Sequence, residues 1–169
     1  ELDIVAGTIK KIMPLGFKNY GTAGNEIDPS DRDSKIEFST LYNKVFGMYL
    51  PDAISQYTYN GVPYLFTANE GDAREYAGFS EMRRVGSSSH VLDPTAFPNA
   101  AILKTDAQLG RLNTTTTLGD TDGDGDFDAI YSLGSRSFSV WNAVTGEQVY
   151  DSKNELDRKA LELQVYDDG

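Results

Sequence analysis

Apolar residues along this chain come mostly in short alternating runs that end at Gly, Asn, Asp or Pro. Alternation with a period of two puts every second side chain on the same face of an extended strand. Tyr (10 residues) and Phe (8 residues), which favour strands, are abundant, and turns are supplied by 16 Gly. The pattern therefore predicts an all-β protein.

The first half of the chain contains one isolated strand and one hairpin by this criterion. Residues 2–13 are predicted to form a strand, and a long polar stretch follows at 14–39. Residues 52–59 and 62–68 are predicted to be two strands joined at Asn60-Gly61, a pair that tolerates positive φ and favours a tight hairpin turn. Alternation is absent from residues 69–105, which we interpret as a long functional loop with one helical turn near residues 79–84.

The second half is predicted to form an antiparallel meander. Its four short strands are the Thr-rich run at 112–118, then 127–133, Ser137–Asn142 and 147–150, with a turn at Thr145-Gly146. Four antiparallel strands are the size of one β-propeller blade. The predicted fold class is thus all-β, a partial β-propeller of antiparallel blade meanders with long loops.

A short C-terminal helix completes the predicted elements. Ser152 and Glu155 have the spacing of a capping box, in which the two side chains bond to each other's backbone N–H groups. An apolar stripe at helical spacing follows. The stripe consists of Leu156, Ala160, Leu163 and Val165.

Charge and composition narrow the possible partners. The chain carries 15 Lys and Arg against 26 Asp and Glu, a net charge of −11, which disfavours nucleic acid and anionic membranes and favours cations. There is no Cys, which excludes thiolate metal sites and thiol nucleophiles. No apolar run approaches the roughly 20 residues of a transmembrane helix. We expect a secreted or cell-surface protein, because the chain has a cluster of aspartates at residues 120–128 that is suited to calcium, and calcium is plentiful outside cells.

The strongest motif is an aspartate loop with calcium-ligand spacing. Asp120, Asp122, Asp124 and Asp128 fall at positions 1, 3, 5 and 9, and Gly125 occupies position 6, where such loops turn sharply. Ca²⁺ takes six to eight oxygen ligands at about 2.3–2.6 Å, and alternating carboxylates on a curled backbone deliver several at once. The predicted metal residues are therefore these four together with Asp126, at position 7, which we expect to contribute its backbone carbonyl.

This loop is not an EF-hand, and it has a simpler alternative. Position 12 is Tyr131 rather than Glu, and the flanking segments are strand-like. The arrangement instead resembles the calcium loops of integrin-type propeller blades. The alternative is an Asp/Gly-rich turn that binds nothing, which would leave five aspartates within nine residues without a counter-ion.

Other charged groups admit two interpretations each. Glu70, Asp72 and Arg74 follow a predicted strand, and they either bind a second ion or polar ligand or form an ion pair of Arg74 with Glu70 or Asp72 that orders the loop. Arg83 and Arg84 either balance charge or hold an anion such as phosphate. The single histidine, His90, is interpreted as a polar loop residue.

Several long blocks in a fixed order resemble the choice-of-anchor I family, also described as mesenchyme-specific cell-surface glycoprotein-like proteins. The match covers nearly the whole chain. The blocks are PLGFKNYGTAGNEIDPSDRD, GMYLPDAISQY, YLFTANEGDAREY, LDPTAFPNAA and LGRLNTTTTLGDTDGDGDFDAIYSLGSRSFSVW. The resemblance implies a secreted or surface-anchored β-propeller longer than 169 residues, of which residues 1–169 would be a fragment.

The resemblance leaves two classes of function open. Animal relatives are associated with biomineralising matrices, which implies a non-enzymatic calcium-binding module that contacts extracellular polymer, mineral, or other copies or segments of the parent protein. Bacterial relatives are often labelled alkaline phosphatase, but zinc sites of that kind need several histidines and this chain has one. The alternative is a calcium-dependent phosphoester hydrolase of the phytase type, with Glu70, Asp72 and Arg74 as candidate catalytic residues.

Overall fold

The computed structural model describes the backbone of residues 1–167 and the side chains of residues 1–163. Its elements are mostly strands, which confirms the all-β class. In chain order they are β1 (Leu2–Asp3), β2 (Thr8–Ile9), β3 (Phe17–Asn19), β4 (Val45–Met48), β5 (Ala53–Tyr59), β6 (Val62–Asn69), β7 (Glu75–Tyr76), β8 (Phe79–Ser80), β9 (Met82–Arg84), α1 (Ala100–Leu103), β10 (Asn113–Thr115), β11 (Ile130–Ser132), β12 (Ser137–Asn142), β13 (Gln148–Asp151) and α2 (Glu155–Asp167).

The hairpin predicted around Asn60-Gly61 is confirmed. β5 and β6 pair along their whole length, from Tyr59↔Val62 at the turn to Ala53↔Ala68 at the open end. Asn60 and Gly61 have φ values of 49° and 80°, the left-handed pair that suits the right-handed twist of a two-residue hairpin.

Residues 2–13 do not form one strand, contrary to the prediction. They contain two short strands, β1 and β2, which pair with each other antiparallel. The Asp3 carboxylate accepts hydrogen bonds from the N–H groups of Val5 (3.1 Å) and Ala6 (3.0 Å). This local bond to the backbone favours a turn over continued extension.

The helical turn predicted at residues 79–84 is also wrong. This region contains β8, which pairs with β7, and β9, which pairs with β10 through Thr114↔Arg83. The sequence gives no local signal for this ladder, because its partner lies about thirty residues away. The long loop predicted for 69–105 accordingly contains three short strands and the helix α1.

Two sheets dominate the structure. One has five strands in the order β3-β4-β11-β10-β9, with β4 and β11 parallel, and the other has four antiparallel strands in the order β13-β12-β6-β5. The predicted meander is therefore wrong, since its first two strands lie in the five-stranded sheet and its last two in the other. Ser135 and Arg136 donate their N–H groups to Asn69 O, and this contact directs β12 onto β6 rather than back onto β11.

The two sheets differ in what they bury. The apolar core lies around the five-stranded sheet and consists of Tyr20, Ile27, Tyr42, Val45, Val85, Leu92, Phe97, Leu109, Phe127 and Ile130. The four-stranded sheet instead buries a hydrogen-bonded polar set, in which Asn69 Nδ2 donates to Ser137 Oγ (3.1 Å) and Ser139 Oγ (2.7 Å). Both serines donate to Asp151, whose other oxygen lies 3.3 Å from the buried Lys18 Nζ.

The predicted C-terminal helix is confirmed as α2, but its packing and start differ from the prediction. Leu156 and Leu163 are exposed, at 48% and 67%, so the stripe does not reach the core, and the Val165 side chain lies outside the described residues. Ser152 Oγ accepts the Phe138 N–H and the Glu155 carboxylate accepts the Tyr150 hydroxyl, so the reciprocal capping box does not form.

Among residues 1–167 the strands form separate sheets rather than a closed ring, and the propeller stays a prediction.

Candidate metal-binding site

The aspartate loop joins β10 to β11, and its two ends are held together by backbone contacts. Asp128 N and Ala129 N both donate to Gly119 O, at 2.8 and 3.2 Å. Gly119 has φ +111°, and a Cβ there would lie 2.2 Å from Ala129 O. Glycine is therefore required where the loop begins, because any side chain would separate its ends.

Inside the loop, each of the first three aspartates binds backbone N–H groups that follow it in the chain. Asp120 accepts hydrogen bonds from Gly123 N (2.7 Å) and Gly125 N (3.1 Å). Asp122 accepts from Asp124 N at 3.3 Å, and Asp124 accepts from Asp126 N at 3.1 Å. These bonds curl the backbone and bring the three carboxylates close to one another.

Three of the predicted ligands converge at the exposed end of the loop. Asp120, Asp122 and Asp124 each offer a carboxylate oxygen, and these oxygens lie within 4.8 Å of one another. Two oxygens bound to one Ca²⁺ at 2.3–2.6 Å are at most about 5 Å apart. The spacing of this first carboxylate group therefore fits one calcium ion.

The other two predicted ligands meet a residue that the sequence did not reveal. Asp126 and Asp128 form a second carboxylate group with Asp93, whose oxygens also lie within 4.8 Å of one another. Asp93 is brought there by backbone pairing, because Asp93 N donates to Phe127 O and Phe127 N donates to Val91 O, both at 3.0 Å. The structure thus places the Asp126 side chain among carboxylates, whereas the sequence suggested only its carbonyl as a ligand.

Neighbouring groups shift the pKa values of this second group in opposite directions. Partial burial, followed by the nearby carboxylates of Asp124, Asp93 and Asp128, raises the pKa of Asp126. The pKa of Asp128 is lowered, because the hydroxyl and N–H of Thr121 donate to it at 2.6 and 2.8 Å. A nearby cation would therefore relieve the unfavourable charge of Asp126.

His90 lies behind the loop and is fully buried, contrary to its interpretation as a polar loop residue. Its ring stacks on Phe127 at a centroid distance of 4.1 Å, and neither ring nitrogen has a hydrogen-bond partner among the described residues. Burial, with a contribution from the positive charges of Lys104 and Arg83, lowers the pKa of His90 to about 4. The side chain is thus neutral at physiological pH and supports Phe127 between the two candidate ligands Asp126 and Asp128.

The structure separates Arg74 from the two acidic residues proposed as its partners. Arg74 binds Glu81, with Nε at 2.9 Å and Nη2 at 3.1 Å from the carboxylate oxygens, rather than Glu70 or Asp72. Glu81 is buried and also accepts the Thr115 hydroxyl at 2.9 Å, and these bonds lower its pKa to about 2. No local sequence pattern indicates Glu81 as the partner of Arg74, because the pairing depends on the β9-β10 ladder beside Glu81.

Glu70 and Asp72 lie on a tightly packed backbone turn. A Cβ on Gly71, which lies between them, would be 2.3 Å from Gly134 N, and a Cβ on Gly134 would be 1.7 Å from Glu70 O. Within residues 1–163, neither Glu70 nor Asp72 belongs to a group of carboxylates close enough to share an ion. The close backbone approach orders this segment without bringing its acidic side chains together.

These strands and this loop define the chain as an all-β domain with a candidate divalent-cation site. The model of the choice-of-anchor I domain family matches residues 1–168, and the chain belongs to this family, as its sequence blocks indicated. Membership makes it a surface-associated extracellular module, at the cell surface or secreted. No curated protein and no solved structure matches the chain. No helix in the described part of the chain is long and apolar enough to cross a membrane.

Proposed function

We propose that this chain is a calcium-stabilised module of an extracellular β-propeller that contacts surface polymer, matrix or mineral. The observation that carries the proposal is the convergence of Asp120, Asp122 and Asp124, whose carboxylate oxygens lie within 4.8 Å of one another. Hard oxygen ligands at this spacing match the preference of Ca²⁺. Membership of the choice-of-anchor I family supports the extracellular setting, where calcium is available.

The charge of the loop supports a bound cation. No ion pair among the described residues involves an aspartate between 120 and 128. Carboxylates held this close repel one another, and a divalent ion converts that repulsion into attraction. Calcium binding should therefore stabilise the loop as well as occupy it.

The second carboxylate group extends this stabilising role. Asp93 belongs to a segment remote in sequence from Asp126 and Asp128, and the segments are joined by hydrogen bonds at Phe127. A cation shared by these three carboxylates would hold the two segments together. We therefore propose that calcium supports the packing around Phe127 in addition to fixing the exposed loop.

The four-stranded sheet supports the propeller part of the proposal. Its strands β5, β6, β12 and β13 are consecutive neighbours and all antiparallel, which is the size and order of a propeller blade. The segment from 70 to 136 is inserted between its second and third strands. Every residue of the edge strand β5 is exposed, which leaves that edge available to further protein.

A calcium-dependent phosphoester hydrolase is the weaker alternative. Such an enzyme needs two ions about 3.5–4 Å apart that share ligands. The candidates Glu70 and Asp72 lie outside both carboxylate groups, and Arg74 is bonded to Glu81. We therefore expect no turnover of a generic phosphoester with calcium. Turnover that is lost in Asp72→Asn and kept in Asp52→Asn would favour the enzyme.

Calorimetric titration of the chelator-treated chain with Ca²⁺ tests the proposal directly. We expect heat of binding in the wild type and a large loss of affinity in Asp122→Asn, which keeps the side-chain shape and removes a ligand charge. Asp52→Asn is the matched control, since Asp52 is exposed and lies outside both carboxylate groups. Absence of calcium uptake by the wild type, or equal affinity in Asp122→Asn, would contradict the proposal.

A further inference from the structure

Three arginines line one cavity on the side of the molecule formed by α2 and the polar segment at residues 28–38. The cavity has a volume of about 380 Å³. Its arginines come from three separate places in the chain: Arg84 ends β9, Arg111 precedes β10, and Arg136 lies in the turn before β12. Such convergence is unusual on a chain with a net charge of −11.

Two of these guanidinium groups are oriented by carboxylates. Arg111 donates through Nε and Nη2 to the two oxygens of Asp31, and Arg136 donates through Nε and Nη2 to Asp157. A guanidinium has five N–H donors in a rigid fork. Each of these arginines therefore keeps three donors that its carboxylate does not use. The ion pairs fix the orientation of the two guanidinium groups and leave N–H donors free for a ligand.

Arg84 differs from the other two. Its side chain is exposed and forms no hydrogen bond or ion pair with any described residue. Its neighbour Arg83, on the opposite face of the strand, donates to Ser89 O at 3.0 Å. Arg84 thus brings to the cavity wall a positive charge that no carboxylate of the described residues binds directly.

We propose that this cavity binds a tetrahedral oxyanion, a phosphate or sulfate group, with Arg84 as its main charged contact. Forked guanidinium donors arriving from three chain segments suit an oxyanion with several oxygens out of one plane better than a planar carboxylate. Apolar side chains, among them Phe38 and Leu161, also line the cavity. They offer a surface for the organic part of an ester, so the site fits an ester group better than the free ion.

The acidic residues of the cavity predict how its affinity can be tuned. Asp28, Asp31 and Asp157 balance the three arginines, so that the wall as a whole is neutral. The Asp31 side chain is 64% exposed and is free to turn toward solvent when an anion takes its place on Arg111. Removing its charge should therefore strengthen anion binding.

Calorimetry on the chelator-treated chain tests this proposal with three probes: inorganic phosphate, inorganic sulfate and phenyl phosphate. We expect all three to bind, with phenyl phosphate the tightest because of the apolar wall. Arg84→Gln should weaken binding about tenfold, the loss expected for one charge-assisted contact. Asp31→Asn should tighten it several-fold. Arg83→Gln is the matched control and should bind like the wild type.

The outcomes separate this site from the calcium loop. Asp122→Asn should bind the anions normally, because its carboxylate is not part of the cavity. No binding of any probe to the wild type, or equal weakening by Arg83→Gln and Arg84→Gln, would overturn the oxyanion site. Equal affinity for inorganic phosphate and phenyl phosphate would overturn the ester preference. Circular dichroism of each variant checks that its fold is intact.

Discussion

Two acidic segments of this chain look similar in sequence and differ in how their charge is compensated. In the segment from 70 to 81, the buried Glu81 is held by Arg74 and by the Thr115 hydroxyl. In the loop from 120 to 128, the carboxylates bond to backbone N–H groups and to Thr121, and they have no ion-pair partner among the described residues. The buried carboxylate of the first segment is paired with an arginine of the protein itself, whereas the proposed function assigns an external cation to the carboxylates of the second.

The comparison shows that local density of carboxylates is a poor guide to a metal site unless the positive partners are known. A carboxylate satisfied by arginine has a lowered pKa, as Glu81 has, whereas a carboxylate that is partly desolvated and surrounded by like charges has a raised pKa, as Asp126 has. Four changes test this contrast.

Glu81→Ala should give the largest effect. It leaves Arg74 and the fully buried Thr115 hydroxyl without their shared acceptor, and we expect a loss of about 2–3 kcal/mol in the free energy of unfolding. Denaturant titration measures it. Glu75→Ala, at an exposed position of the same segment, should change stability by less than about 0.5 kcal/mol. A similar small loss for both variants would contradict the compensated role of Glu81.

Calcium should stabilise the chain by a comparable amount. At a free concentration one hundred times the Kd, linkage predicts an increase of about 2.7 kcal/mol in the free energy of unfolding. Thermal unfolding with calcium and with chelator measures this difference. The increase should be much smaller in Asp124→Asn and should persist in Glu81→Gln. Equal Tm values for the wild type in both conditions would mean that the two acidic segments do not differ as proposed.

Acid should affect the two segments with opposite signs. The folded pKa of Glu81 is about 2 against an ordinary 4.5, so its stabilisation is complete above 4.5 and is lost as the pH falls toward 2. The pKa of Asp126 is raised, so without calcium its unfavourable charge is relieved as the pH falls through that raised value. Stability measured across this window should fall less steeply in Glu81→Gln than in the wild type. Identical slopes would contradict the assignment.

Asp126→Asn should produce the smallest effect, and its sign is the informative part. Without calcium, removing one of several mutually repelling carboxylates should raise Tm by on the order of 1 °C. With excess calcium the same change should lower Tm, because a ligand is lost. Asp52→Asn should leave Tm unchanged in both conditions. A decrease for Asp126→Asn in chelator would show that the loop carboxylates are already compensated.

The features that could be predicted from sequence are those fixed by near neighbours. Asn60-Gly61 determines its own turn, and the hairpin of β5 and β6 follows from it. The aspartate loop is also local, because its carboxylates bond to N–H groups two to five residues ahead. The proximity of the carboxylates of Asp120, Asp122 and Asp124 therefore followed from their spacing.

The features that could not be predicted depend on contacts between remote segments. Asp93 reaches the loop only because backbone hydrogen bonds join residues 91–93 to Phe127. Arg74 binds Glu81 rather than the nearer acidic residues Glu70 and Asp72, because Glu81 lies beside the β9-β10 ladder. The assignment of β11 and β12 to different sheets likewise depends on the contact of Asn69 with Ser135 and Arg136. None of these has a periodic signature in the sequence.

The interrupted order of the four-stranded sheet has a consequence for how the chain reaches its native state. The hairpin of β5 and β6 closes locally and can form early, but β12 must return to β6 across 68 residues, as the contact of Asn69 with Ser137 shows. Closing such a long span is entropically unfavourable and slow. An ion captured between residues 93 and 128 would shorten the free chain within that span. Calcium should then accelerate refolding as well as oppose unfolding.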